Sequence, residues 1–250
     1  MFLYEIFNAH IQSEKINYKI HYIETTESTN QYAWDLKSPT LTHGNIIITK
    51  NQTNGFGRRG TKWLSSKNKS LTFSLAIKEQ QQYNHLLSLK IGISIVEGIK
   101  QDTGINTTLK WPNDIMINEK KCGGILCESK ILNQNIQSMV VGIGININEN
   151  KYDFPPEILE TATSLFIETG YSHQRELLCA IFTTFFEREL NNLSLTLDLW
   201  KNYCSHIGQI ISFNHKGEKY SGTFKGIDSN GGALIEIEND IKNFTSIIMD

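Results

Sequence analysis

Four cysteines in 250 residues, no long apolar run and no marked excess of either charge remove several protein classes at once. Cys122, Cys127, Cys179 and Cys204 form no C-x-x-C pair and have no histidine at finger spacing, which argues against a zinc framework. Cys122 and Cys127 are five apart, so on a strand they face opposite sides and share no ligand. Reduced cysteines are the expectation. No window approaches the roughly 18 apolar residues of a membrane span. The first residues, MFLYEIF, carry no basic leader, so a cytoplasmic protein without membrane attachment is expected. With 24 Lys and Arg against 26 Asp and Glu, net charge is −2. No global field draws the chain to nucleic acid, and any anion site must be local.

The length allows a large domain and a small one. The densest chemistry lies in residues 52–63, QTNGFGRRGTKW, which follow a predicted strand over 45–49. Gly55, Gly57 and Gly60 permit positive φ and bring backbone N–H groups close to an anion, while Arg58 and Arg59 add planar, permanent cations. The spacing satisfies G-x-G-x-x-G, but a dinucleotide fingerprint needs a helix at the last glycine. Residues 71–77, LTFSLAI, alternate as a strand instead. A phosphate loop ending Gly-Lys-Ser/Thr is excluded because this one ends Gly60-Thr61-Lys62-Trp63.

Residues 18–23 alternate as a strand. Ser28, with Gln31 three residues on, makes a capping-box pattern for a helix to about Lys37; Ser28 is either an N-cap or one edge of a polar site at a helix start. Residues 83–103 form a core helix ending at Gly104, and 106–110 and 115–117 are short strands around Trp111-Pro112-Asn113-Asp114. The predicted strand over 139–148 has an apolar face (Met139, Val141, Ile143, Ile145, Ile147) and a contrasting one (Val140, Gly142, Gly144, Asn146, Asn148). Glycines on one face of a strand mark close approach, either by a ligand above a pocket floor or by a packed helix. Pro155-Pro156 opens a short helix, Ser172 is predicted to cap an amphipathic one, and another covers about 196–205. Beyond Gly208, four predicted strands (209–213, 219–227, 233–237, 243–248) alternate with turns at 216–217, 230–232 and 239–240. A small β-barrel over 207–250 appended to an α+β domain over 1–206 is the expected plan.

Five ordered stretches then coincide with one family: Glu27-Ser28-Thr29-Asn30; Gln52 through Gly60 to Trp63; Lys110-Trp111-Pro112-Asn113-Asp114; Lys121-Cys122-Gly123-Gly124; and Val141-Gly142-Ile143-Gly144-Ile145-Asn146. On these the chain resembles the biotin–protein ligases, or biotin–[acetyl-CoA-carboxylase] ligases, in their short form. The resemblance implies a class II aminoacyl-tRNA synthetase-like mixed sheet with flanking helices and a C-terminal SH3-like barrel. It implies that biotin and ATP, with Mg2+ accompanying the nucleotide and no metal site in the protein, give biotinyl-5′-adenylate. A lysine of a biotin carboxyl carrier protein then takes the biotinyl group. Ser28, Thr29, Asn30, Gln52, Gly55, Phe56, Gly57, Arg58, Lys121 and Gly124 would hold biotin. Arg58, Arg59, Trp63, Asn113 and Asn146 would serve ATP, and Arg58, Lys121 and Asp114 would act in the chemistry.

Physical reasoning bears on these roles separately. A carboxylate approaching a triphosphate needs cations to offset repulsion, and Arg58 and Lys121 are placed by motif to supply them. An acceptor lysine, whose ordinary pKa is about 10.4, must lose a proton before attack. Asp114 is the candidate base, with capping of its own turn as the alternative. Trp63 lies either beneath the loop or beside adenine. Against the family pattern, Phe56 stands where many relatives are basic, which changes little if that position meets biotin through its backbone, and Thr61 stands where arginine is common, which leaves one adenylate contact open. About 17 residues precede the first predicted strand, so no DNA-binding repressor domain is expected. The main alternatives are a lipoate–protein ligase, separated by the Gly-Arg-Arg-Gly loop and the Lys-Trp-Pro-Asn-Asp run, and a nucleic-acid binder, disfavoured by charge. A homodimer is left open by the sequence.

Overall fold

A computed structural model describes residues 3–11, 17–36, 43–78, 86–133, 135–190 and 196–249. Its elements in order are α1 (Tyr4–His10), β1 (Lys19–Ile23), α2 (Thr29–Asp35), β2 (Asn45–Thr49), β3 (Gly55–Phe56), β4 (Lys62–Trp63) and β5 (Leu71–Lys78). There follow α3 (Leu87–Thr103), β6 (Thr108–Lys110), β7 (Asp114–Ile117), β8 (Lys120–Leu132), β9 (Asn135–Ile145), α4 (Leu165–Thr169), α5 (Arg175–Leu190) and α6 (Thr196–Tyr203). The chain ends in β10 (Ile210–His215), β11 (Glu218–Ile227), β12 (Ala233–Ile237), β13 (Asp240–Phe244) and β14 (Ile248–Met249).

Seven strands form a mixed sheet in the order β1-β2-β5-β9-β8-β7-β6, with β1 and β2 parallel and the other pairs antiparallel. The period-2 alternation of β5 and β9 decides what each face meets. Leu71, Phe73, Leu75 and Ile77 of β5 join Met139, Val141, Ile143 and Ile145 of β9 in the main core, together with the apolar residues of α3 and α5. Burying each such side chain contributes roughly 1.5–3 kcal/mol. Gly98 of α3 lets α5 approach: a Cβ there would lie 2.6 Å from a ring carbon of Phe182. The opposite face of the sheet carries only a small apolar cluster under α2, made by Ala33, Ile47 and Val140. The rest of that face is free for a site.

Ser28 caps α2, its Oγ accepting from the Gln31 N–H at 3.4 Å. The reciprocal half of the expected box is absent because Gln31 Nε2 donates to Asp35 Oδ1 at 2.9 Å. The expected end of this helix at Lys37 and the start of α3 over 83–85 lie outside the described residues. α5 begins at Arg175, later than a Ser172 cap predicts, because the His173 N–H is held by Asn148 Oδ1 at 2.9 Å. The strand predicted to 148 ends at Ile145, after which Asn146 N–H turns to the Cys122 carbonyl at 2.8 Å.

The last five strands form an antiparallel sheet in the linear order β13-β12-β11-β10-β14, with β13 and β14 at its two ends. The strand expected over 243–248 is thus two elements, and the turn expected at 239–240 falls on Glu238 and Asn239, both in left-handed conformation. Phe213, Phe224, Ile235 and Phe244 are buried within it. His206 packs against Phe224 at 4.2 Å, and burial beside the charge of Lys110 drives its pKa down to about 4.

The loop after β9 buries a carboxyl. Glu149 is 2% exposed, its Oε1 accepts from the Ser70 hydroxyl, and its Oε2 has no hydrogen-bond partner. Burial therefore raises its pKa to about 6. Below about pH 4.5 the group is neutral in both states; between there and about pH 6 the unfolded chain releases its proton first, so stability falls as pH rises, by about 2 kcal/mol in full. Urea unfolding of wild type and Glu149→Gln at the two ends of that window should show this loss in the wild type alone.

Candidate active site

The pairing register lays one row of residues across the free face: Thr72 of β5 opposite Gly144 of β9, Gly144 opposite Gly124 of β8, and Gly124 opposite Asp114 of β7. Neighbouring strands are about 4.8 Å apart, so this row runs roughly 14 Å from a hydroxyl, over two residues without side chains, to a carboxylate. Above it lies a cavity of about 470 Å³, within the range of small-molecule sites.

Its neutral wall is a hydrogen-bonded chain. Gln52 Oε1 accepts from the Thr29 N–H at 2.9 Å and the Thr29 hydroxyl at 3.3 Å. The Ser74 hydroxyl lies 2.7 Å from Thr29 Oγ1 and donates to Asn30 Oδ1 at 2.6 Å, while Asn30 Nδ2 donates to Glu128 Oε2 at 2.7 Å. Ser28, Thr29, Asn30 and Gln52 all line the cavity. A Cβ on Gly142 would fall 2.4 Å from Asn30 Oδ1, and one on Gly144 would fall 2.5 Å from Trp63 Cε2. The two glycines are thus close-packed by protein, by α2 and by the hairpin, as well as lining the cavity. Trp63 Nε1 and Thr72 Oγ1 on this wall have no hydrogen-bond partner among the described residues, and both residues line the cavity. Buried donors of this kind are ordinarily satisfied, and a ligand in the cavity would satisfy them.

Residues 52–63 form a short hairpin in which β3 pairs with β4 across a 3-10 turn, Arg58–Gly60. Arg59 and Gly60 supply its left-handed bend at φ 57° and 75°. Gly55 serves packing instead, since a Cβ there would sit 2.2 Å from Gln52 Nε2. No helix follows Gly60, so the dinucleotide pattern stays a coincidence of spacing. Phe56, Gly57, Arg58, Arg59 and Trp63 line the cavity; Gly55 does not. Burial lowers the pKa of Arg58, and the like charge of Arg59 adds to this.

The charged corner depends on a register shift. Ile115 pairs with Gly123 but Met116 with Lys121, so Cys122 is an extra residue on β8. Strict alternation would place Lys121 and Gly124 on opposite faces; the bulge turns Lys121 onto the cavity side. There its Nζ lies 2.6 Å from Asp114 Oδ1. Asn113 braces the same turn, exchanging bonds with Ile125 (Nδ2 to the carbonyl at 2.6 Å, the Ile125 N–H to its carbonyl at 3.0 Å). Asn113, Asp114, Lys121 and Gly124 line the cavity. Asn146 does not: it is 5% exposed and its amide donates to the Thr163 carbonyl at 2.9 Å.

The cavity is also lined by residues to which the sequence assigned no role in the site, among them Thr72, Lys62, Ile247 and Ile248. Thr72 could have been found from β5 itself, where Thr72 and Ser74 are the polar side of an otherwise apolar strand. Lys62 sits inside the loop already singled out. Ile247 and Ile248 come from the C-terminal sheet's last segment and carry no local signal.

One cavity thus combines the two arginines of the hairpin and the bulge-directed lysine with the amide and hydroxyl groups of Ser28, Thr29, Asn30 and Gln52. The model of the biotin/lipoate A/B protein ligase family matches residues 22–146, and the chain belongs to that family. A second model, the biotin protein ligase C-terminal domain, matches residues 206–246. The chain is 31% identical over 243 residues to the bifunctional ligase/repressor BirA of Bacillus subtilis, covering 94% of this chain and 75% of that protein. It is 26% identical over 219 residues to the biotin–[acetyl-CoA-carboxylase] ligase of Paracoccus denitrificans, with 84% and 91% covered. The structure of the Aquifex aeolicus biotin protein ligase in complex with biotin and ATP superposes with a TM-score of 0.80 at 28% identity, covering 92% of this chain and 97% of that one.

Gly144→Ala puts a methyl group into the Trp63 indole and should cost about 1–3 kcal/mol of stability. In a Trp63→Ala background the same substitution should cost almost nothing. A double-mutant cycle by urea denaturation checks this, and an undiminished cost would place the strain in the strand backbone instead.

Proposed function

We propose that this chain is a biotin–protein ligase that joins biotin to ATP, releasing pyrophosphate, and then transfers the biotinyl group from the adenylate to a lysine of a biotin carboxyl carrier protein. The observation that carries this reading is the division of one cavity into a neutral hydrogen-bonding wall and a cationic corner. The ring of biotin, a neutral donor and acceptor, suits Ser28, Thr29 and Gln52, with Asn30 bracing them and Gly55, Phe56 and Gly57 bounding the wall. Its carboxylate and the α-phosphate suit Arg58 and Lys121 above Gly124. Arg59, Trp63 and Asn113 lie toward the nucleotide; Asn146 supports that side from behind, through its bond to Thr163.

In the first half-reaction a biotin carboxylate oxygen attacks the α-phosphorus and the bond to pyrophosphate breaks. Arg58 and Lys121 offset the repulsion between the two anions and the charge gathering on the phosphoryl oxygens. Magnesium enters as part of the MgATP substrate; among the described residues there is no group of three or more His, Cys, Asp or Glu to hold a resident ion. In the second half-reaction the acceptor amine attacks the carbonyl, AMP departs, and the amine's proton must go to a base. Asp114 fills that role. Lys121 holds it at 2.6 Å, and it is released to meet the amine when Lys121 turns to the phosphate.

Within this reading, residues 1–206 form the catalytic domain, of class II synthetase-like architecture, and 207–250 an SH3-like domain. The enzyme works in the cytoplasm without nucleic acid or membrane, and a homodimer is compatible with it. No helix of the described residues is long and apolar enough to cross a membrane.

Biotin-dependent ATP–pyrophosphate exchange, with lipoate inert, is the expected activity; exchange driven by lipoate alone would overturn the assignment. Lys121→Ala should nearly abolish that exchange, and activity close to wild type would remove Lys121 from the reaction. Asp114→Asn should leave adenylate formation within a few-fold while slowing transfer to the carrier by roughly 100-fold. Equal losses in both half-reactions, measured by single turnover, would assign Asp114 to structure.

A further inference from the structure

The C-terminal sheet reaches into the cavity at one segment, residues 245–248, which run from the end of β13 to the first residue of β14. Ile247 and Ile248 line the cavity, and Ile247 is 4% exposed, so the segment is anchored there. The carbonyl of Ser246 accepts from His215 Nδ1 at 3.0 Å, and the His215 ring stands edge-on to Phe244. These contacts hold the Ser246 backbone. The Ser246 Oγ lies 2.6 Å from Arg59 Nη2 and 3.4 Å from Arg58 Nη2, so both arginines of the hairpin converge on it. Two like charges have no reason to share a neutral oxygen unless something holds them there. The left-handed bend at Arg59 turns the second guanidinium toward it, and the carboxylate of Asp114 draws on the first.

We propose that Ser246 is a positioning residue for the first half-reaction: it latches the Arg58–Arg59 hairpin to the C-terminal sheet and so presents both guanidinium groups at the mouth of the cavity. A guanidinium has five N–H donors, and the contact with Ser246 uses one nitrogen of each, which leaves donors for an anion. The triphosphate then meets a pair of cations already gathered, instead of collecting them from a mobile loop against their mutual repulsion. The C-terminal sheet thereby acts on adenylate formation without touching biotin. This rests on the ligase reading for its catalytic part, but the latch itself does not.

Trypsin separates the two. It cleaves after Arg58 and Arg59, and cleavage requires the hairpin to lift from Ser246. In ligand-free protein, Ser246→Ala should be cut there about tenfold faster than wild type, from the loss of a hydrogen bond to a charged donor, and Ser246→Thr should restore resistance to within about twofold. In pyrophosphate exchange, Ser246→Ala should raise KM for ATP about tenfold with KM for biotin unchanged, again with rescue by Ser246→Thr. Unchanged cleavage overturns the latch. Faster cleavage with an unchanged KM for ATP overturns its role in the reaction, as does an equal rise in KM for both substrates together with a lowered Tm. Faster cleavage in a protein whose wild type shows no exchange at all leaves the latch standing and removes the ligase reading.

Discussion

The absence of side chains at Gly142 and Gly144 is the constraint on which the site depends. β9 lies mid-sheet, and on its free face three elements compete for the same space: α2, the 52–63 hairpin and any ligand. With Asn30 Oδ1 and Trp63 Cε2 each within 2.5 Å of where a Cβ would be, neither element could settle at its present depth over an alanine. Raising α2 would break the contact of Asn30 with Ser74 and Glu128, and raising the hairpin would remove the indole that bounds the cavity. The floor therefore sets the height of both walls.

The two walls differ in stiffness. Gln52, Thr29, Ser74, Asn30 and Glu128 form a continuous chain of bonds between elements far apart in sequence, with the first four residues buried. In a low-dielectric interior such a chain, once satisfied, admits few alternative arrangements. The opposite corner includes a long side chain partly open to solvent, Lys121 against Asp114. Ion pairs of that exposure contribute little to stability and exchange readily. A fixed neutral wall suits recognition of a rigid ring, and an exchangeable cationic corner suits a reaction in which charge first accumulates and then leaves.

Much of this was legible in the sequence because local pattern and tertiary role coincide. The alternation of β5 and the Gly104 stop of α3 stand where residue periodicity puts them, and so do the two unlike faces of β9 as far as Ile145. Residues named by motif order, Ser28 through Asn30, Gln52, Arg58, Asn113, Asp114, Lys121 and Gly124, line one cavity. Failures occurred where a tertiary contact decides. Alternation puts Asn146 on the glycine face of the strand, and the family resemblance on the nucleotide side, but the strand stops one residue before it and Thr163 takes its amide. Ser172 offered a cap, but Asn148 holds the chain extended through His173. The contribution of residues 246–248 depends on a segment about 190 positions from the arginines it meets, and no periodicity reports that.

The bulge at Cys122 shows how little sequence such a site needs. Lys120, Lys121 and Gly124 read along a regular strand would aim Lys121 into the main core, where an unpaired ammonium costs several kcal/mol or loses its proton. One inserted residue, itself fully buried, reverses its direction and sets it beside Asp114. The same insertion leaves Gly123 facing the core, where a Cβ would meet the Ile145 side chain at 2.4 Å, so the glycine there is required by packing and its neighbour Gly124 by the cavity. The run Lys121-Cys122-Gly123-Gly124 is therefore a device for turning one cation through a sheet, with each residue answering to a different neighbour. That is why it carries a functional signal although only two of its four residues line the cavity.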